Sequence, residues 1–211
     1  MKVYYTLINE SIDIEKIDSL AKKMPIIRFK EYLKYRNDSD KIKNVVSYLL
    51  ILKYLNDRNI SIEPKIAITN LNKPYFANID LHFNISHSDN MIVVAFSEDP
   101  VGVDVELIED IIIKNSSIFS AQELEKYEEY LNCSKFKTKV WTIKESYTKM
   151  LGLGLNFAFS NISLDLTKDN IKYDDCFIDS FLIGNYYLSI CGKEKERVIE
   201  EVSTNDLLSM F

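Results

Sequence analysis

The sequence is poor in glycine, proline, cysteine and histidine, with 5, 4, 3 and 2 of these residues in a chain of 211. Cys133, Cys176 and Cys191 are odd in number and widely spaced, which excludes a disulfide framework and a zinc-binding pattern. No stretch approaches the roughly 18 apolar residues that a membrane span requires. The apolar run at 1–8 is too short for a signal peptide. We therefore expect a cytoplasmic protein without a membrane partner.

An excess of positive charge is also missing. Lysine and arginine total 26 against 32 aspartates and glutamates, a formal net charge of −6, which argues against nucleic acid as a partner. Hydrophobic residues make up 46% of the chain, enough for an ordered core rather than a disordered chain. Only the segment 28–43 concentrates lysine and arginine, and it is either a solvated surface or a local site for an anion.

Apolar runs alternate with helical patterns along the whole chain, which predicts an α+β fold. Before residue 100 we expect a strand at 2–8, a helix at 14–23, a longer helix around 42–52 and a strand at 91–96. After residue 100 we expect a strand at 101–107, helices near 120–131 and 140–151, strands at 158–166, 171–177 and 186–191, and a peripheral charged tail from 193. The two halves, 1–100 and 101–211, therefore share a similar layout.

Two carboxylates share one face of the predicted strand at 101–107. Because side chains alternate along a strand, Asp104 and Glu106 lie opposite the valines of the same strand. They would stand about 7 Å apart and would repel each other if unpaired. Mg²⁺, which prefers carboxylates together with phosphate oxygens and water, would relieve that repulsion. The other interpretation is the polar, solvent-facing side of an ordinary strand.

The helix predicted at 140–151 ends before two glycines, as helices commonly do. Trp141, Lys144, Glu145 and Lys149 form a polar stripe beside its apolar stripe. This stripe is either a solvated face with a Glu145–Lys149 pair or one wall of a functional site.

Two further residues are candidates for phosphate contact or catalysis. His87 stands between two serines before a turn, where a histidine can contact a phosphate. Ser120 and Glu123 match a capping box, a structural reason for Glu123 that competes with a catalytic role. Together, the carboxylates, lysines and histidine would suit Mg²⁺-dependent chemistry on a phosphate ester or anhydride. The set is Asp104, Glu106, Glu145, Lys144, Lys149 and His87.

Several of these segments resemble, in the same order, the motifs of 4′-phosphopantetheinyl transferases of the surfactin-synthetase-activating (Sfp) type. The segments are Lys73-Pro74, Phe83-Asn-Ile-Ser-His-Ser88, Gly102-Val-Asp-Val-Glu106, and Trp141-Thr-Ile-Lys-Glu145 followed by Lys149 and Gly152-Leu-Gly154. The resemblance implies a pseudo-dimer of two similar α+β halves in one chain. Such an internal duplication predicts a monomer.

The resemblance also implies an activity. The enzymes move the 4′-phosphopantetheine arm of coenzyme A onto a serine of an apo carrier protein and release adenosine 3′,5′-bisphosphate. The carrier partner would be a peptidyl carrier of a nonribosomal peptide synthetase, an acyl carrier of a polyketide synthase, or the acyl carrier of fatty-acid synthesis. Mg²⁺ would be the metal cofactor, with Mn²⁺ as its alternative.

By matched position, each candidate residue takes an implied role. The metal ligands would be Asp104, Glu106 and Glu145. The coenzyme A contacts would be Ser86, His87, Lys144 and Lys149 at the phosphates, Lys73 and Pro74 at the adenine, and Lys43 at the 3′-phosphate. The catalytic residues would be Glu145, Lys149, His87 and Glu123, with Glu145 taking the serine proton directly or through a metal-bound water.

The sequence departs from the family pattern at two positions, and two other functions compete with the transferase. Asn72 replaces the glycine usual before Lys73-Pro74, and Asn44 follows Lys43 where a hydroxyl residue is common. One rival is a relative that binds coenzyme A or a carrier without chemistry. The other is a Mg²⁺-dependent phosphohydrolase, which needs no acceptor. The complete set of Asp104, Glu106, Glu145 and Lys149 argues against the binding rival, and the identity of the product would separate a phosphohydrolase from a transferase.

Overall fold

The computed structural model describes residues 1–8, 11–109, 115–154 and 158–210. The first half contains β1 (Lys2–Leu7), α1 (Ile14–Ala21), α2 (Ile26–Tyr32), α3 (Asp38–Asp57), β2 (Ile66–Ile68), β3 (Pro74–Phe76), β4 (His82–Ser88) and β5 (Met91–Ser97). The second half contains β6 (Val101–Leu107), α4 (Asn115–Ile118), α5 (Ala121–Lys126), α6 (Ser134–Leu151), β7 (Asn170–Tyr173), β8 (Cys176–Ile183), β9 (Tyr186–Gly192), β10 (Val198–Glu201) and α7 (Thr204–Ser209). The predicted α+β class is confirmed. Among the described residues, no helix is both long and apolar enough to span a bilayer.

Two four-stranded sheets organise these elements. The first has the order β10-β1-β5-β4 and is antiparallel, except that β10 runs parallel to β1. The second has the order β6-β9-β8-β7 and is antiparallel throughout. Strands β2 and β3 form a separate antiparallel pair. Strands β4 and β6 therefore each end a sheet, and the candidate site lies where these two strands meet.

The buried side chains form three clusters that explain how the sheets stack. Along β5, Ile92 and Val94 pack with residues of α3, whereas Val93 and Ala95 face the second sheet. On the far side of the second sheet, α6 contributes residues such as Ile143 to a third cluster. A helix thus covers the outer face of each sheet, and the inner faces pack against each other.

Helix α6 passes over β6 at very close range. A β-carbon at Gly102 would collide with the backbone of Ser146 and Met150, so only glycine fits at this crossing. The helix ends at Gly152, whose φ of +72° is the left-handed conformation predicted for the helix terminus. This approach holds the polar stripe of α6 against the carboxylate face of β6.

Three predictions about the carboxyl-terminal half are wrong. The range 158–166 has no strand among its described residues and contains instead a 3₁₀ turn at Phe159–Asn161. The range 171–177 spans two strands, because Asp174, at a φ of +50°, turns the chain between β7 and β8. The tail is not peripheral, since β10 pairs with β1 and Leu207 is fully buried. The hydrophobic period of a short apolar run does not by itself determine its secondary structure.

Candidate active site

The two sheets are joined at the site by side chains rather than by strand pairing. Three residues of β4, alternating along the strand, each accept a backbone N–H from β6. The bonds run from Val103 to Asn84 Oδ1 (2.9 Å), from Val105 to Ser86 Oγ (3.3 Å) and from Leu107 to Ser88 Oγ (3.1 Å). Because the side-chain period of a strand is two, these contacts also place Asp104 and Glu106 beside β4.

Asp104 is the most deeply buried carboxylate of the site, with 2% of its surface exposed. Its Oδ1 accepts hydrogen bonds from Lys149 Nζ at 2.5 Å and Ser86 Oγ at 2.9 Å. Its Oδ2 is buried without a hydrogen-bond partner among the described residues. Burial raises the pKa of Asp104, and the contacts with Lys149 and Ser86 oppose that rise. One oxygen of a buried carboxylate therefore lacks a hydrogen-bond partner among the described residues.

Glu106 lies next along the same face of β6. Its Oε2 accepts a hydrogen bond from Ser88 Oγ at 2.6 Å, and its carboxylate also bonds the side chain of Trp141. Burial raises the pKa of Glu106, Ser88 opposes the rise, and the negative charge of Asp104 adds to it. Two hydrogen bonds therefore orient a carboxylate whose ionised form is disfavoured by its surroundings.

Glu145 completes the group from the opposite wall, one helical turn before Lys149 on α6. Only 7% of its surface is exposed. Burial raises its pKa to about 7, the charges of Asp104 and Glu106 raise it too, and Lys149 opposes them. A carboxyl that titrates near neutral pH is suited to exchange a proton with a substrate.

These side chains line one open pocket of about 260 Å³, formed by Ile85, Ser86, His87, Asp104, Glu106, Trp141, Glu145 and Lys149. The His87 side chain is accessible to solvent at its wall. Desolvation lowers the pKa of His87, and the positive charges of Lys43 and Lys149 lower it further. The predicted residues Asp104, Glu106, Glu145, Lys149, Ser86 and His87 are thus brought together.

Lys144 does not reach this pocket, and its predicted contact with phosphate is wrong. The side chain is completely buried and pairs with Glu123 Oε2 at 2.5 Å. Its ammonium also donates to the carbonyls of Ile118, Ile162 and Phe159, at 2.7, 2.9 and 3.2 Å. At about 100° per helical residue, Lys144 faces well away from Glu145 and Lys149. The pair therefore ties α6 to α5 and the neighbouring turn.

The proposed catalytic role of Glu123 is corrected by the same geometry. Glu123 is 1% exposed and accepts the backbone N–H of Ser120 at 2.8 Å, completing the predicted capping box. Its other oxygen accepts the N–H of Leu164 at 2.9 Å. With Lys144 as its ion-pair partner, the carboxylate has no route to the pocket.

Lys73 is also engaged with the protein rather than with the pocket. Its ammonium donates to the carbonyls of Lys149 (2.5 Å), Met150 (2.9 Å) and Val101 (3.3 Å), which satisfies the last turn of α6. Asn72 adopts a φ of +64°, a left-handed conformation that glycine favours and asparagine tolerates. Asparagine in place of glycine at position 72 is therefore compatible with the turn.

A second groove, of about 380 Å³, has Pro74, Arg28, Lys34, Tyr35 and Asn44 among its lining residues. Arg28 donates to Asn44 O at 2.7 Å, while Arg28 Nε and Asn44 Oδ1 are buried without hydrogen-bond partners among the described residues. The adenine contact of Pro74 and the 3′-phosphate contact of Lys43 stay predictions. Lys43 is close enough to His87 to shift its pKa.

The sequence did not predict that Ser88 and Trp141 are hydrogen-bond partners of the Glu106 carboxylate. The alternation of Asn84, Ser86 and Ser88 was the available signal, because it places all three on one face of a strand. What the alternation alone does not reveal is that this face meets another strand edge.

Three carboxylates of the pocket are candidate ligands of a divalent cation. Among the described residues, no group of three or more histidine, cysteine, aspartate or glutamate side chains is arranged as a metal site. Yet Asp104, Glu106 and Glu145 line a single pocket, all with raised pKa values, and Asp104 Oδ2 is buried without a hydrogen-bond partner among the described residues. Mg²⁺ prefers hard oxygen ligands, and three carboxylates beside the single ammonium of Lys149 leave negative charge for a cation to neutralise, so these residues fit the ion.

Comparison with known proteins agrees with the motifs. The model of the 4′-phosphopantetheinyl transferase superfamily matches residues 100–196. The 4′-phosphopantetheinyl transferase gsp of Aneurinibacillus migulanus is 30% identical over 204 residues, covering 91% of this chain and 86% of the relative. The 4′-phosphopantetheinyl transferase Sfp of Bacillus subtilis (strain 168) is 28% identical over 144 residues, covering 61% and 63%.

A shorter relative matches about a third of this chain. The holo-[acyl-carrier-protein] synthase of Buchnera aphidicola subsp. Schizaphis graminum is 32% identical over 81 residues, covering 34% of this chain and 64% of the relative. The fold, the pocket and these similarities define a group-transfer enzyme. The chain belongs to the 4′-phosphopantetheinyl transferase superfamily.

Proposed function

We propose that this protein transfers the 4′-phosphopantetheine arm of coenzyme A to a serine hydroxyl of an apo peptidyl or acyl carrier protein. The products would be the holo-carrier and adenosine 3′,5′-bisphosphate. The observation that carries the proposal is the pocket that gathers Asp104, Glu106, Glu145 and Lys149 from two distant segments. Family membership makes phosphopantetheine transfer the reaction this charge arrangement would serve.

In this proposal, Asp104, Glu106 and Glu145 would hold Mg²⁺, or Mn²⁺ in its place. The ion, when bound, would neutralise charge on the coenzyme A pyrophosphate. Lys149 would place a further positive charge beside that group, and His87 would contact it from the opposite wall of the pocket. Positioning and charge neutralisation are the main demands of phosphoryl-type transfer.

Glu145 would act as the general base. The serine oxygen would attack the phosphorus atom that carries the pantetheine chain, and its proton would pass to Glu145. The bond from that phosphorus to the bridging oxygen would break, and adenosine 3′,5′-bisphosphate would leave with the bond electrons. The pKa of about 7 for Glu145 supports this role, because a base works best when it titrates near the operating pH.

The adenosine end of coenzyme A would lie in the groove that Pro74 lines. Lys43, on α3 near His87, would contact the 3′-phosphate. The ammonium of Lys73 is occupied at the end of α6, so only the main chain of Lys73 would border the adenine.

We also propose that the chain is a pseudo-dimer of related halves, 1–100 and 101–211. The connectivity supports this: β1 pairs with β5 and β5 with β4 in the first sheet, as β6 pairs with β9 and β9 with β8 in the second. The matched strands are β1, β4 and β5 in one half and β6, β8 and β9 in the other. A duplication of this kind predicts a monomer, which would act on carrier proteins in the cytoplasm.

The test is intact-protein mass spectrometry of apo carrier domains incubated with the protein, coenzyme A and Mg²⁺. We expect a carrier to gain the mass of one phosphopantetheine arm, and a chelator to abolish the gain. Coenzyme A cleavage at equal rates with and without carrier would instead indicate a phosphohydrolase. Coenzyme A binding without transfer to any peptidyl or acyl carrier would indicate the non-catalytic rival.

A further inference from the structure

Ser86 and Ser88 of β4 can each donate their hydroxyl proton only to a carboxylate, because the other partners of these hydroxyls are N–H donors. Ser88 Oγ accepts the backbone N–H of Leu107 at 3.1 Å, and an N–H can only donate. The single hydroxyl proton of Ser88 therefore goes to the other partner, Glu106 Oε2, at 2.6 Å. The same holds for Ser86, which faces the N–H of Val105 and gives its proton to Asp104.

We propose that Ser88 is a positioning residue of the reaction, which locks the Glu106 carboxylate in the orientation in which it would hold a divalent cation. This inference rests on the proposed function, because it assigns Glu106 to the metal. A carboxylate fixed through one oxygen by a donor that is itself fixed to the backbone has lost the rotation that would turn it away.

Asn84 provides a matched comparison within the same strand. It accepts the N–H of Val103 at 2.9 Å as Ser88 accepts that of Leu107. Ser88 also donates to the Glu106 carboxylate, whereas no hydrogen bond among the described residues joins Asn84 to a carboxylate, so Asn84 joins the sheets without orienting a metal ligand. Loss of Asn84 would therefore weaken the joint between the sheets, whereas loss of Ser88 would weaken the joint and release Glu106.

The experiment measures Mn²⁺ binding by electron paramagnetic resonance and the Mg²⁺ concentration that half-saturates transfer. For Ser88→Ala we expect about a 10- to 100-fold loss in Mn²⁺ affinity and an equal rise in the Mg²⁺ requirement, with turnover largely restored at saturating Mg²⁺. Ser88→Thr keeps the hydroxyl and should restore both values. Asn84→Ala should lower the unfolding temperature but leave the Mn²⁺ affinity unchanged.

Three results would overturn the inference in distinguishable ways. Equal losses of Mn²⁺ affinity in Ser88→Ala and Asn84→Ala would reduce Ser88 to a structural joint, while leaving the transferase intact. Unchanged Mn²⁺ affinity in Ser88→Ala would likewise show that Ser88 does not position Glu106 for the metal. Transfer by the unmodified protein without any Mn²⁺ binding would remove the metal from the proposed function, and the role of Ser88 with it. Should Ser88→Ala not fold, Ser88→Cys, which keeps the shape with a weaker donor, carries the same expectations.

Discussion

The ammonium of Lys149 lies 2.5 Å from Asp104 Oδ1, and this contact joins helix α6 to the edge strand β6. The carboxylate side chain is 3% exposed and the lysine side chain 29% exposed, so the pair is buried on its acidic side only. The lysine charge is accessible to a ligand, while the carboxylate depends on it for compensation. This asymmetry leads to a prediction about each partner of the site.

Replacing Lys149 by methionine would leave three neighbouring carboxylates without the cation that opposes their charge. We expect the free energy of unfolding in chelator to fall by about 1–3 kcal/mol, less than for a fully buried pair because Lys149 is partly exposed. Excess Mg²⁺ should recover part of that loss, and transfer should fall by at least about 100-fold. Thermal unfolding of the variant and the unmodified protein, with and without Mg²⁺, measures both stability effects. A variant as stable as the unmodified protein in chelator would contradict the first, and a variant equally stable in both buffers would contradict the second.

The buried Lys144–Glu123 pair should behave differently from the site. Lys144→Met leaves a buried carboxylate unpaired and should cost about 3–5 kcal/mol of unfolding free energy. The double change Lys144→Met with Glu123→Leu removes both charges and should regain much of that loss. Denaturant unfolding of the single and double variants measures this coupling. If Glu123 were catalytic, the stable double variant would lose activity far beyond its loss of folded protein.

Glu145 should make the metal-free protein sensitive to pH. Its pKa is raised from 4.5 to about 7 in the folded state, so its stabilising contribution is complete below pH 4.5 and is lost as the pH rises through about 7. With solvent screening, we expect a fall of about 1–2 kcal/mol from this group. Unfolding in chelator at pH 5 and pH 8 measures it. Glu145→Gln should flatten the pH dependence in this window, and an unchanged slope would contradict the assignment.

Gly102 should tolerate no side chain. Gly102→Ala would push α6 away from β6, and we expect a loss of about 3 kcal/mol or more, as for other overpacked sites. Gly184→Ala is the control, because a β-carbon there meets nothing within 4 Å and only the φ of +56° is strained. That control should cost about 1–2 kcal/mol. Similar unfolding temperatures for the two variants would contradict the close helix crossing.

Much of the site could be predicted because it depends on local periods. A period of two placed Asp104 and Glu106 on one face, and the glycine after residue 151 marked the end of α6. Lys144 was misassigned because adjacency to Glu145 in sequence hides a rotation of about 100° around the helix. The predicted polar stripe of α6 was too wide because it included Lys144. The sequence around Glu123 shows a capping box but nothing that marks Glu123 as the partner of Lys144.

The tail and the joint could not be predicted because both depend on distant contacts. Strand β10 pairs Val198 with Lys2, nearly the whole chain apart, and no local pattern reports such a pairing. The bonds from β6 to Asn84, Ser86 and Ser88 likewise require two sheet edges to meet. Tertiary packing decided both outcomes over local propensity.

Single-turnover transfer onto an apo carrier, followed by intact-protein mass spectrometry, tests the central claim most directly. The protein, Glu145→Gln and the control Glu125→Gln, an exposed glutamate of α5, would be compared at saturating coenzyme A and Mg²⁺. We predict transfer by the protein and by Glu125→Gln, and a loss of at least about 100-fold in folded Glu145→Gln. Equal transfer by all three would contradict the assignment of the carboxylate pocket as the active site.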